Sequence, residues 1–163
     1  ARNPGRIDRV MAVSLPLAGT DINRRLMTSG ALTLFDKAFN AQPPDFSALQ
    51  LETRKADESA VIKSVHSVMG LDIQRELERL KLLELPVLLV YGERDDIVTP
   101  GNGGTLFSSG FVRDIYLSDS RHFPMLDERP RFNRLLRDFL KADLKANTLK
   151  SLSLKEEWRR QTR

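Results

Sequence analysis

Pro86-Val-Leu-Leu-Val-Tyr-Gly92 is the stretch of sequence that points most directly to the fold class. A continuous run of apolar residues lies between a proline and a glycine, and this pattern is typical of a strand covered on both faces. Such strands occur in parallel sheets, where helices pack against each side of the sheet. The stretch therefore predicts a buried strand in an α/β protein.

One stretch before this strand and one after it predict further strands. Arg9–Leu15 contains the apolar run Val10–Val13, and Phe111–Leu117 is the third predicted strand. Apolar residues at helical spacing predict a final helix with Pro130 in its first turn, running to Leu140. This order of elements predicts a parallel sheet with flanking helices, which is the α/β class.

Aspartate residues mark the predicted starts of helices between the first two strands. Asp21 is expected to cap a helix that Gly30 weakens or splits. Asp57 and Asp72 are expected to cap two more helices, and a short helix is expected around residues 104–108.

The composition is that of an ordinary globular protein, with 163 residues, 40% apolar residues and 29% charged residues. No run of apolar residues approaches the length of about 18 that a membrane-spanning helix needs, so we expect no membrane span. The absence of cysteine excludes disulfides, thiolate metal sites and a cysteine nucleophile. With two histidines in the chain, we expect no metal site, and nothing indicates a cofactor.

The net charge of +4 is concentrated at the C-terminal end. Residues 141–163 hold seven basic and three acidic residues, so residues 1–140 carry no net charge. A body without net charge gives no reason to expect a nucleic-acid partner. Residues 142–163 are predicted to form a basic, solvated extension, and contact with an acidic partner or lipid headgroups is the alternative.

Two side chains able to do acid–base chemistry follow the second and third predicted strands. Asp95 comes shortly after Gly92, and His122 comes shortly after Phe111–Leu117. Because the carboxyl ends of adjacent parallel strands share one rim of the sheet, we expect the two side chains to meet there. A carboxylate that accepts the imidazole Nδ1–H leaves Nε2 free to act as a general base.

The segment from about Leu85 to Leu140 resembles the C-terminal part of α/β-hydrolase-fold enzymes. Gly92-Glu-Arg-Asp95 matches the Gly-x-x-Asp motif that presents the acid of the family's triad. His122-Phe-Pro-Met-Leu-Asp-Glu-Arg-Pro130 matches the stretch that presents the base, with one residue more before the last proline. The resemblance implies that residues 1–141 are the C-terminal part of such a domain, with a helical lid inserted at residues 16–70. It also implies that Asp95 and His122 are catalytic residues.

The sequence departs from this family at two places. Arg121 stands before the histidine, where the family usually has glycine. No Gly-x-(Ser/Asp/Cys)-x-Gly nucleophile elbow occurs anywhere in the chain, and Ser14, at the end of the first predicted strand, lacks the flanking glycines. The resemblance places the elbow on a strand before the one that opens this chain. We therefore expect the chain to be the C-terminal half of a hydrolase.

Other candidate residues have simpler interpretations. Asp96 is the local rival of Asp95 and is expected to be a surface turn residue. His66 is expected to lie on the lid or the surface, and Gly101–Gly104 is expected to form a turn and not a phosphate loop. Substrate-binding residues are not identified, although some apolar side chains of the lid either pack it or line an acyl or alcohol pocket (Phe35, Phe39, Phe46 and Met69).

The resemblance implies a serine-type hydrolase that acts on a small-molecule ester or a similar acyl substrate. Because the nucleophile is missing, we expect the isolated chain to be inactive. The alternative is a non-catalytic fragment or a binding module that acts with another chain. The lack of cysteine is compatible with a cytoplasmic location, and neither interpretation specifies an oligomeric state.

The first predicted strand is expected to lack a neighbour on one side. This would leave Val10 and Val13 at an open sheet edge, where apolar strands tend to associate with other molecules. We therefore expect the isolated chain to aggregate or to lose its fixed packing.

Overall fold

The computed structural model describes residues 5, 7–39, 46–70, 72–100, 107–108, 110–143, 149 and 152. The described elements, in chain order, are β1 (Val10–Val13), α1 (Arg24–Met27), α2 (Ala31–Ala38), α3 (Phe46–Arg54), α4 (Glu58–Met69), α5 (Ile73–Leu82), β2 (Val87–Gly92), β3 (Val112–Leu117), α6 (Pro124–Asp127) and α7 (Arg129–Lys141). We refer to α1–α5, which lie between β1 and β2, as the helical segment.

The strands among the described residues form a parallel sheet in the order β1-β2-β3. Val10 pairs with Val87, and Val87 pairs with Val112, so the three strands begin at the same level. Their carboxyl ends consequently meet at one rim, as the sequence predicts. The α/β class with a parallel sheet is confirmed.

Side chains of β2 alternate between two apolar clusters, one on each face of the sheet. Leu89 and Tyr91 pack with the helical segment, in a cluster that includes Phe39 and Leu77. Leu88 and Val90 pack on the opposite face, in a cluster that α7 covers. Every residue of β2 is buried, as expected for a strand with helices against both faces.

Strand β1 is less buried than β2, although both of its faces are covered. Val10 and Ala12 pack against the cluster under the helical segment, and Met11 and Val13 pack against the cluster under α7. All four side chains remain partly exposed. Within the described residues, β2 is the only strand that pairs with β1, so the expected open edge is present in this part of the chain.

The predicted helix caps at Asp57 and Asp72 are confirmed. The Asp57 carboxylate accepts hydrogen bonds from the backbone N–H groups of Ser59 and Ala60, and α4 ends at Gly70. The Asp72 carboxylate accepts from the N–H of Arg75 at the start of α5. These caps satisfy N–H groups that have no partner inside their own helices. Helix α3 was not predicted.

The predicted cap at Asp21 is wrong. The Asp21 carboxylate accepts from the N–H groups of Leu17 and Ala18, at 2.8 and 3.0 Å, which precede it in the chain, and the residue that caps α1 is Asn23. Asp21 ends a short 3-10 turn that begins at Gly19. The expected split at Gly30 is confirmed, because α1 ends before it and Gly30 adopts a positive φ of 95°.

Several expectations fall outside the described residues. The turn expected at residues 101–104 lies there entirely, and the short helix expected at 104–108 lies there except for residues 107 and 108. Most of the predicted basic extension at 142–163 also lies there. Of the helices that the structure does describe, none combines the length and the apolar character needed to cross a bilayer.

Candidate active site

Asp95 lies three residues beyond the end of β2, with its carboxylate locked in place by the backbone that follows it. The Oδ1 atom accepts hydrogen bonds from the N–H groups of Ile97 and Val98, at 2.8 and 3.1 Å. The side chain is only 1% exposed. These bonds fix the carboxylate so that its second oxygen, Oδ2, faces His122.

His122 lies five residues beyond the end of β3 and meets Asp95 at the shared rim. Its Nδ1 atom is 2.9 Å from Asp95 Oδ2. Because a carboxylate only accepts hydrogen bonds, this contact favours the tautomer that carries its proton on Nδ1. The imidazole is 23% exposed, and within the described part of the chain its Nε2 has no hydrogen-bond partner. The geometry therefore leaves Nε2 available as a base.

Gly92 explains how the two loops come so close together. A Cβ atom at this position would lie 2.1 Å from the carbonyl oxygen of Arg121 and 2.3 Å from that of Ser120. These oxygens belong to backbone and cannot swing aside. The N–H of Arg94 donates to the Ser120 carbonyl at 3.0 Å and joins the two loops. The glycine of the Gly-x-x-Asp motif is thus required by close packing against the loop that carries the histidine.

Buried polar contacts hold the loop before His122. Glu128 Oε2 accepts from Ser120 Oγ at 2.7 Å and from the Asp119 N–H at 2.9 Å, and Glu128 also pairs with Arg131. Asp127 Oδ2 accepts from the N–H of Arg121 at 2.8 Å. The two acidic residues after the histidine therefore organise the loop that precedes it.

Arg121 occupies its position without backbone strain. It is not among the residues with positive φ, so its conformation does not need glycine. The departure from the family pattern at this position is therefore compatible with the loop geometry.

Helix α2 of the helical segment packs directly beside His122. The N–H of His122 donates to the carbonyl of Ala38 at 3.1 Å. The rings of Phe39 and Phe123 stack at a centroid distance of 5.0 Å, and Phe123 meets the His122 imidazole edge-on at 5.1 Å. Phe35 contacts Phe39 in turn. An apolar, aromatic surface thus borders the imidazole of His122. The side chains of Phe46 and Met69 lie outside the described part.

The other candidates lie apart from this pair. Asp96 is exposed, and its backbone carbonyl accepts a hydrogen bond from Asn23. His66 is exposed on α4. In the part of the chain that the structure describes, no group of three or more histidine and carboxylate side chains is placed to hold a metal ion.

Two stacked tyrosines, Tyr91 on β2 and Tyr116 on β3, have raised pKa values but do not belong to the pair. Burial raises the pKa of Tyr91, whose hydroxyl donates to the Leu15 carbonyl at 2.8 Å. Burial and the neighbouring Asp114 raise the pKa of Tyr116 to about 12. Both hydroxyls therefore stay protonated at neutral pH.

Ser14 lies at the rim and contacts the histidine loop, and the sequence did not predict this contact. Its hydroxyl donates to the backbone carbonyl of His122 at 2.7 Å. The two residues are far apart in the sequence, and no local motif marks Ser14 as a partner of His122. Ser14 does not use its hydroxyl on the imidazole.

Comparison with protein-family models and with curated proteins gives no match. Solved structures do match. A proposed aryl esterase from Burkholderia cenocepacia has a TM-score of 0.60 and 24% identity, over 80% of this chain and 53% of its own length. The enol-lactonase from Burkholderia xenovorans LB400 has a TM-score of 0.59 and 20% identity, over 85% and 58%. A thermophilic esterase has a TM-score of 0.55 and 19% identity, over 86% and 58%.

The chain spans between 53% and 58% of the length of these three structures. They are α/β-hydrolase-fold enzymes, so the match is to part of that fold. The parallel order β1-β2-β3 and the helices on both faces agree with it. The chain therefore has the fold of part of an α/β-hydrolase.

Proposed function

We propose that this chain supplies the acid and the base of a Ser-Asp-His triad that hydrolyses an ester or a similar small acyl substrate. The observation that carries the proposal is the 2.9 Å contact between Asp95 Oδ2 and His122 Nδ1 at the rim of the sheet. The structural neighbours, which include esterases and a lactonase, support a small ester-like substrate.

In the proposed mechanism, His122 Nε2 removes the proton from a serine hydroxyl as the serine oxygen attacks the acyl carbon. The imidazolium then gives this proton to the departing alcohol, which leaves an acyl-enzyme. In the second half, Nε2 takes a proton from water as the water oxygen attacks the acyl carbon. The imidazolium then gives this proton to the serine oxygen as the bond between that oxygen and the acyl carbon breaks, and the acid is released. Asp95 holds the imidazole in the required tautomer and stabilises its positive charge throughout.

The proposal requires a serine nucleophile and oxyanion donors from outside these 163 residues, because the sequence has no nucleophile elbow. We propose that both come from a segment that precedes β1 in a longer polypeptide. The isolated chain should then have no esterase activity, since the covalent route needs the serine.

To test this, the longer polypeptide and the isolated 163-residue chain are expressed separately, and hydrolysis of p-nitrophenyl acetate is measured for each. In the longer polypeptide, His122→Ala should lower kcat by about 10³-fold or more, because loss of a triad member removes the base. The matched control is His66→Ala, which removes the chain's other histidine from an exposed helix and should leave kcat unchanged. Turnover by the isolated chain that depends on His122 would contradict the proposal.

Because the sequence has no nucleophile elbow, a second function is also compatible with it. In that case the chain is a non-catalytic fragment or a binding module that acts with a separate polypeptide. The coding sequence immediately upstream distinguishes the two. An in-frame Gly-x-Ser-x-Gly between a strand and a helix supports the triad, whereas a stop codon or an unrelated domain supports the module.

A further inference from the structure

Ser14 combines a left-handed backbone with a buried hydroxyl bonded to the loop that carries His122. It follows β1 directly, is 6% exposed and has a φ of 50°. Its N–H donates to the Val90 carbonyl at 2.8 Å, and this bond ties it to β2. Its Oγ donates to the His122 carbonyl at 2.7 Å. Ser14 therefore connects the ends of β1 and β2 to the histidine loop that follows β3.

The backbone conformation at this position favours glycine. A side chain at positive φ crowds the neighbouring backbone, and glycine avoids this crowding because it has no Cβ. Glycine, however, would have no hydroxyl to offer the His122 carbonyl. The strain at Ser14 is therefore accompanied by one specific contact, and strained residues of this kind concentrate at functional sites.

The contact restrains the His122 carbonyl, which no other residue in the described part of the chain bonds. The His122 N–H is bonded to the Ala38 carbonyl, and its Nδ1 is bonded to Asp95. With Ser14 on the carbonyl, both peptide groups that flank the Cα of His122 are fixed. The direction of the Cα–Cβ bond, from which the imidazole extends, is fixed with them.

We propose that Ser14 is a positioning residue that holds His122 Nε2 at the place where the base must act. The proposal rests on the triad function proposed above. Ser14 acts on the backbone of the base and does not touch the substrate or the nucleophile. Its removal should therefore slow the chemical step and leave substrate binding unchanged.

The experiment compares Ser14→Ala and Ser14→Gly in the longer polypeptide that carries the nucleophile, with p-nitrophenyl acetate as substrate. Ser64→Ala is the matched control, because the Ser64 hydroxyl is exposed and bonds only within α4, to the Ala60 carbonyl. His122→Ala is measured in parallel. Each variant is characterised by kcat, KM and Tm.

Both Ser14 variants should lower kcat about 10- to 100-fold with little change in KM, the size of loss expected when a reacting group shifts by about 1 Å. Ser14→Gly should keep or raise the Tm, because glycine adopts the left-handed φ without strain. Loss of activity without loss of stability separates positioning from a general structural role. Ser64→Ala should match the parent in all three quantities.

An unchanged kcat in Ser14→Gly overturns the positioning role. Parallel losses of kcat and Tm in both Ser14 variants also overturn it, because the hydroxyl would then serve stability alone. Complete loss of turnover, together with covalent labelling of Ser14 by an organophosphate, would make Ser14 the nucleophile and overturn it as well. If His122→Ala keeps the parent kcat, the triad function fails. If Ser14→Gly keeps the parent kcat while His122→Ala loses it, the triad proposal is supported and the positioning role of Ser14 is contradicted.

Discussion

The rim of the sheet that carries Asp95 and His122 is held by directed hydrogen bonds, whereas the face of the sheet under α7 is held by apolar packing. At the rim, the Asp95 carboxylate accepts from two N–H groups of its own loop, and the Glu128 carboxylate accepts two bonds from the loop that precedes His122. Under α7, Phe139 packs with Leu88 and other apolar side chains. Hydrogen bonds fix direction, while packing fixes proximity and exclusion of water. Substitutions at the rim should therefore lower activity, whereas substitutions under α7 should lower stability.

The largest effect on activity should come from Asp95→Asn in the longer polypeptide proposed above. The amide oxygen can still accept from Ile97 and Val98, so the loop is retained. The amide nitrogen, however, would donate to His122 Nδ1 and favour the tautomer with its proton on Nε2, which is no longer a base. We expect kcat to fall by about 10⁴-fold, the size known for this change in a triad.

The control for this prediction is Asp96→Asn, one residue along the same loop, which has an exposed side chain and should keep the parent kcat. Kinetics and thermal unfolding are measured on both variants. An Asp95→Asn protein with the parent kcat would remove Asp95 from the mechanism. An Asp95→Asn protein that fails to fold would show that the rim carries stability as well as direction.

The opposite result is expected under α7, for Phe139→Ala. Phe139 is 1% exposed, and truncating a buried phenylalanine costs about 3–5 kcal/mol of unfolding free energy. Among molecules that remain folded, kcat should be unchanged, because Phe139 does not contact the pair. Urea unfolding and kinetics with active-site titration measure the two quantities.

Leu140→Ala, at the next residue of α7, is the matched control. Leu140 is 57% exposed, and its truncation should cost less than about 0.5 kcal/mol of unfolding free energy. A large loss of kcat per folded molecule in Phe139→Ala would contradict the expectation that packing under α7 affects stability and not activity.

Gly92→Ala should lower both activity and stability, because Gly92 is the last residue of β2 and lies at the rim. The added methyl group meets the Arg121 and Ser120 carbonyls and must push the histidine loop away. We expect a loss of about 1–3 kcal/mol in unfolding free energy, as for overpacked sites, together with a lower kcat. Urea unfolding and kinetics of the longer polypeptide check this.

Gly70→Ala is the corresponding control. There the new Cβ has ordinary van der Waals contact with the Ser67 carbonyl at 3.8 Å and φ is −90°. This variant should match the parent within about 0.5 kcal/mol. If Gly92→Ala also matched it, close packing would not be what brings Asp95 and His122 together.

The smallest effect should come from Tyr116 on β3, which is 37% exposed. Its pKa in the folded protein is about 12, against an ordinary value of 10.0, because burial and Asp114 oppose ionisation. The raised value means that its contribution to stability is complete below about pH 10 and is lost as pH rises towards 12. The unfolding free energy should therefore fall less steeply between these pH values in Tyr116→Phe than in the parent. Identical slopes in the two proteins would contradict the shift.

Local sequence patterns were sufficient to predict the strands and the contact between Asp95 and His122. The apolar run in β2 specifies a strand covered on both faces, and parallel strands necessarily bring Asp95 and His122 to one rim. Asp57 was recognisable as a cap because its bonds go to the residues that follow it. In each case the decisive partners are neighbours in sequence or in strand order.

The features that were missed depend on contacts between distant segments. Asp21 has the residue type of a cap, but its carbonyl accepts from Thr99 in the loop beyond Asp95, and its side chain bonds to the preceding turn. The bond from Ser14 to His122 likewise joins segments separated by 108 residues. A short polar side chain can bond forwards or backwards, and tertiary packing decides between these.

The bond from the His122 N–H to the Ala38 carbonyl links the histidine loop to the end of α2. The stacked pair of Phe39 and Phe123 lies beside this bond and strengthens the same connection. We therefore expect the docking of α2 and the position of His122 to be coupled in free energy. A ligand that binds more tightly when α2 is docked should raise the fraction of molecules in which His122 holds this position. Reciprocally, docking of His122 raises the affinity for that ligand by the same factor.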